Sequence, residues 1–144
     1  MAVSAFLYDK FAQKQLDGSA PVVWSSDTIK VALLSNAHTP NQATHDFFDD
    51  VSANEITGTG YTAGGATTAS VTPTSSGTTS IFDLADAQWT SASFTANGSL
   101  TYNSSKSNKA WFVIAFGSDQ TVTSGTFTIQ WPTADASNAI VRIA

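Results

Sequence analysis

The residues whose types and spacing most invite chemistry lie in HDFFDD: His45, Asp46, Asp49 and Asp50. Wound into one helical turn, these side chains would offer a divalent cation three carboxylates and an imidazole. The spacing matches no twelve-residue calcium loop, and the motif lacks the paired histidines of a zinc helix. The competing expectation is a solvated loop. Its acids would cap backbone amides, and Phe47 and Phe48 would anchor it to a core. As a general base, His45 has no partnered nucleophile, because the chain holds no Gly-x-Ser-x-Gly elbow. The expectation is therefore no catalytic residue, no metal and no cofactor.

A second candidate is ITGTGYTAGG, where closely spaced glycines would let backbone amides approach a phosphate. It lacks the Lys-Ser/Thr ending of a P-loop, and no amphipathic helix follows. These glycines are expected instead to supply positive φ in tight turns around Tyr61, so that the loop lies close to a neighbouring surface. Four tryptophans offer a third possibility, a sugar platform. Trp111 and Trp131 sit in apolar or alternating runs that predict burial, which leaves Trp24 and Trp89 as the open positions.

Both motifs fall in one long connection, 39–65, which carries four acids and four glycines, with His38 directly before it. What must hold this connection in place is a β protein. At 144 residues the chain suits one domain, 1–144. Only 12% of residues are charged, about half the usual ~25%, so hydroxyls must clothe the surface. A net charge of −5 with no basic run argues against nucleic acid as a partner. Cysteine is absent, which excludes disulfides and thiolate chemistry. No stretch approaches the ~18 apolar residues of a membrane span, and the N-terminus lacks a secretory pattern. A soluble product made in the cytoplasm is expected.

Val3, Phe6, Leu7, Phe11 and Leu16 predict one amphipathic helix of about four turns over 1–17, stopped by Asp17-Gly18. Ile29–Ser35 reads as a buried strand, with Lys30 at an edge, and Thr39-Pro40 as the start of a short helical turn. From 66 to 144 the pattern is β, with strands expected at 67–72, 80–84, 88–94, 100–102, 110–116, 125–131 and 138–143. Within GTFTIQW, Phe127, Ile129 and Trp131 should face inward and the hydroxyls outward, while WFVIAF should be central. Asn97-Gly98 predicts either a hairpin turn or a bulge inside one continuous strand over 93–102. TPTSSGTTS, 72–80, reads as a mobile loop. The fold class expected is mainly β: an antiparallel β-sandwich or partly closed barrel with one N-terminal α-helix.

DTIKVALLSNAHTPNQATHDFFDDVSANEITGTGYTAGGAT, 27–67, resembles a segment of small structural proteins of tailed bacteriophages. LYDKF (7–11), FGSD (116–119) and GTFTIQW (125–131) extend the resemblance over most of the chain, while 91–109 departs from it. The resemblance implies a non-enzymatic virion component without a catalytic motif, assembled in the host cytoplasm. The form expected is a capsid decoration or cement protein that binds the major capsid protein lattice and sister subunits as a homotrimer. The alternative is a neck, tail or fibre-tip component recognising host glycan. Phe47, Phe48 and Tyr61 in the connection, with Phe6 and Phe11 in the N-terminal segment, are the expected contact anchors.

Overall fold

The computed structural model describes residues 3–23, 26–69, 73–135 and 137–143. Among them the elements are β1 (Ser4–Leu7), α1 (Asp9–Leu16), β2 (Ile29–Leu34), β3 (Ala66–Thr68), β4 (Thr74–Ser76), β5 (Thr79–Phe82), β6 (Ala87–Asn103), β7 (Lys109–Ile129) and β8 (Val141–Ile143). Two 3-10 turns, Phe48–Asp50 and Ser52–Asn54, lie in the long connection. One antiparallel sheet runs β1-β7-β6-β2-β3, and a smaller one runs β4-β5-β8. The expected class, mainly β and antiparallel with one short N-terminal helix, is what the chain forms, and the sheet does not close into a barrel.

IKVALL explains why the core lies on both faces of the large sheet. Its period-two alternation sends Ile29, Val31 and Leu33 into a cluster with Trp89, Phe94, Phe112, Trp131 and Phe82. Ala32 and Leu34 turn to the opposite cluster with Tyr8, Val51, Leu100 and Val113. A strand buried on both faces must be apolar throughout, and each large side chain so buried contributes about 1.5–3 kcal/mol. Lys30 is not at an edge: it pairs with Tyr102 on one side and Thr67 on the other.

The N-terminal expectation needs correction. Ser4–Leu7 is a strand paired with Phe112–Ala115 of β7, and only Asp9–Leu16 is helical. Tyr8, extended and fully buried, divides the two. Pairing with a central strand satisfies a row of β7 backbone groups that a helix would leave open, so the long-range ladder overrides the helical stripe. The predicted stop holds, with Asp17 as C-cap and Gly18 in the left-handed region.

The other correction concerns length. The strands expected at 88–94 and 100–102 are one strand, β6, and those at 110–116 and 125–131 are one strand, β7. Asn97-Gly98 is therefore not a hairpin turn. A Cβ at Gly98 would stand 2.7 Å from the Ile114 carbonyl oxygen, so this glycine serves close approach of two backbones. FGSD is not a turn but a bulge: Ala96 pairs with Gln120 and Gly98 with Ala115, leaving Phe116–Asp119 opposite Asn97. Asn97 Nδ2 donates to Asp119 Oδ1 across it at 2.8 Å. A second bulge places Trp111 between the pairs Tyr102–Ala110 and Thr101–Phe112. It sends both Trp111 and Phe112 to the larger cluster, while Ala110 and Val113 face the other.

Smaller departures have local causes. Thr39-Pro40 begins no helix; the first helical turn comes at Phe48, after the chain has bonded to β7. The supposed loop at 72–80 contains β4, which pairs with β5 around Gly77. Of the strand expected at 67–72, Ala66–Thr68 is β3 and residues 70–72 lie outside the described residues. The C-terminal strand is confined to Val141–Ile143. In GTFTIQW the alternation holds, with Ile129 and Trp131 buried, Phe127 half-buried and Thr126, Thr128 and Gln130 exposed.

Candidate interaction site

The connection 39–65 is stitched to the body along its length. The Asp9 amide donates to Gln42 O, Ala110 N to Asp46 O and Phe48 N to Asn108 O, which fixes its first third over the start of β7. Ser35 N donates to Asn54 O and Ile56 N to Leu33 O, extending the edge of β2. Ser93 N donates to Thr59 O, which ties the last third to β6. Backbone pairing of this density makes the connection part of the fold rather than an appendage.

Each expected anchor points into the protein itself. Phe48 stacks on Tyr102 with ring centroids 4.7 Å apart and planes inclined by 12°. Phe47 lies under the Lys109 ammonium, 4.5 Å from nitrogen to ring centroid. Tyr61 sits between Trp89 and Phe94, and its hydroxyl donates to Glu55 Oε1 at 2.6 Å while accepting the Leu33 amide at 3.0 Å. Burial, reinforced by the Glu55 hydrogen bond, pushes the Tyr61 phenol above its ordinary range. Phe6 meets Tyr8 edge-on at 5.7 Å, and Phe11 lies 5.3 Å from Trp111. All five rings are half-buried: each makes a contact within the fold and keeps part of its surface open, Phe6 in the wall of an apolar groove.

The acidic cluster is likewise engaged. Asp46 pairs with Lys109, whose side chain is 3% exposed, and lies 3.7 Å from Lys14 of α1. Burial pulls the Lys109 ammonium below its ordinary value, and the Asp46 carboxylate opposes that pull. Asp50 Oδ2 accepts the amides of Asp46 and Phe47 at 2.7 and 2.9 Å, and those two bonds hold its carboxyl below the usual range. Asp49 is exposed. Among the described residues no three His, Asp or Glu side chains gather as a ligand set. His45 lies against His38 and Tyr8, with ring centroids 5.9 Å from each, and Asp50 is near enough to act on it electrostatically.

The glycine turn does lie against a surface, and that surface is the protein's own sheet. Gly65 has φ +77°, and a Cβ there would stand 2.0 Å from the Val31 carbonyl oxygen. Trp89 is 4% exposed and belongs to the larger core, so it offers no sugar platform. Trp24 lies outside the described residues.

The surface left open is one that the residue pattern concealed. At the end of β3, Ala85 accepts the Thr68 hydroxyl and donates its amide to Ala69 O, while β1 ends the sheet at the other side. Val3 is 67% exposed and Leu7 36%, and no charged residue occurs between Val3 and Tyr8. Beside this edge lies an apolar groove of about 370 Å³ lined by Leu7, Phe112, Ile114, Trp131, Pro132 and Ile140. Natural edge strands are ordinarily blunted by charge, proline or cover, and β1 has none of these among the described residues. The one available signal was the run VSAFLY without a charge, which also fits a helix face. The chain matches no protein-family model, no curated protein and no solved structure.

Proposed function

We propose that this chain is a non-enzymatic structural protein of a tailed-phage particle, a capsid decoration or cement protein that binds the major capsid protein lattice together with sister subunits as a homotrimer. The observation that carries the reading is the uncharged, open edge of β1 beside an apolar groove, a surface suited to adding a neighbour's strand. Commitment of Asp46, Asp50 and Tyr61 to internal bonds supports adhesion over catalysis. The resemblance of 27–67 to phage structural proteins supplies the particle. Contact with sister subunits is assigned to β1, where Phe6 lines the groove beside Leu7, ahead of Phe11, Phe47, Phe48 and Tyr61, whose ring contacts lie within the fold. Weak contacts of this kind gain strength from symmetry and repetition.

Cryo-electron microscopy of the particle tests the proposal directly. Density at the local three-fold positions of the capsid is the expected result. Only six or twelve copies, at the neck or tail, would overturn decoration in favour of the tail-component reading. Sedimentation of the isolated chain is expected to give a trimer, and a strict monomer at all concentrations counts against self-assembly.

A further inference from the structure

The histidines, set aside as catalysts, are half-buried side chains that each turn one ring nitrogen into the protein. His38 and His45 lie side by side, and His45 in turn faces Tyr8. His38 Nε2, His45 Nδ1 and the Tyr8 hydroxyl are all buried without a hydrogen-bond partner. Buried polar atoms left unpaired are costly and call for a reason. His38 also lines a small cavity of about 20 Å³, room for about one water, with Ser35, Pro40, Asn97, Val113 and Ala115. No wall of that cavity carries a charge that could meet an imidazolium.

We propose that His38, with His45 beside it, is an acid-sensitive latch: protonation on acidification releases 38–50 from the sheet and uncovers the inward faces of Phe47 and Phe48. The charge inventory favours this. Around the pair, Asp50 acts on His45 and Tyr8, while Lys109 acts on Asp50. Lys14 and Lys109 flank Asp46, so two ammonium groups already stand against the two carboxylates of Asp46 and Asp50. Asp9 and Asp49 face solvent. On the cavity side the Asp119 carboxylate is already engaged by Asn36 and Asn97, so a proton on His38 adds a charge that no wall of the cavity meets. Burial first, and His45 second, hold the His38 imidazole below its usual value. For a base so depressed, the stability it lends is full above its unfolded value of ~6.5 and is lost as pH falls through the folded value. What the latch must release is a defined set of bonds: those of Gln42, Asp46 and Phe48 to the body, with the pairs that Asp46 makes with Lys109 and Lys14.

Two measurements on the full chain test the latch. Proton NMR titration of the wild-type imidazoles should put the His38 midpoint below ~6.5; a midpoint at or above that value overturns the proposal. Hydrogen exchange, corrected for intrinsic rates, should show the Asp9, Phe48 and Ala110 amides losing protection by about threefold or more between about pH 7.5 and pH 5, with the β2–β6 ladder unchanged. His38→Gln should abolish that selective loss. Equal loss in the variant, or loss spread evenly over the sheet, refutes a latch. Should the variant fail to fold, the wild-type titration decides.

Discussion

Tyr61→Phe removes one oxygen from the centre of the long connection and keeps the ring between Trp89 and Phe94. Two bonds are lost. The phenol no longer donates to the Glu55 carboxylate, a charge-assisted bond of ~1.5–3 kcal/mol, and the fully buried Leu33 amide loses its acceptor, at ~1–3 kcal/mol. Overlap between these terms places the net cost at about 3 kcal/mol. Unfolding entropy of ~2.1 cal/mol/K per residue gives about 0.3 kcal/mol/K for a chain of this length, so Tm should fall by about 10 °C. Thermal and urea unfolding followed by tryptophan fluorescence would measure it. Tyr102→Phe is the control: its hydroxyl makes a single bond, to Gly64 O at 2.7 Å, and should cost about 1 kcal/mol. Because Glu55 Oε1 also accepts the Gly64 amide, Glu55→Gln should weaken the same knot and reduce the effect of Tyr61→Phe. A loss below ~0.5 kcal/mol for Tyr61→Phe would refute the claim that this hydroxyl pins the connection.

Asp46→Asn strands the Lys109 ammonium in a nearly closed site and should cost about 2–4 kcal/mol in urea denaturation, discounted from a fully buried pair because Asp46 is partly exposed. Gly65→Ala, where a Cβ would overlap the Val31 carbonyl, should abolish soluble expression or lower Tm by more than about 10 °C. Gly18→Ala, with positive φ but open space around it, should cost only about 1–2 kcal/mol by the same assay. Leu7→Lys places a charge on the open edge, and its expected effect is to shift sedimentation toward monomer with little change in Tm; an unaltered trimer would remove β1 from the interface.

How much was legible from the residues depended on the range of the interactions. IKVALL and GTFTIQW announced their faces because alternation is written in neighbouring residues. Asp17-Gly18 announced the helix end for the same reason. VSAFLY could not announce a strand: its partner, Phe112–Ala115, lies far along the chain, and the same residues satisfy a helical stripe. Asn97-Gly98 carried a true local turn preference that a long cross-strand ladder overrode. Phe47, Phe48 and Tyr61 were visible as anchors of a loop, but whether a ring faces in or out is set by tertiary packing. His38 was noted beside the connection but given no role, because a lone histidine has no pattern. Its partners, His45 and the cavity over Asn97 and Val113, come together only in the fold.

The bulge at Trp111 gives the central strand one residue of slack. With Tyr102 facing Ala110 and Thr101 facing Phe112, the ladder closes whether or not a residue stands between them. Removing Trp111 altogether would leave Ala110, Phe112 and Val113 on the faces they already occupy. What the residue then supplies is its indole, wedged between Phe11 of α1 and Phe82 of the small sheet, and the carbonyl that accepts the Tyr8 amide at the end of β1. A deletion in the middle of a buried strand ordinarily turns everything beyond it inside out. Here the faces survive, and the loss falls on the indole site and on the bond to Tyr8.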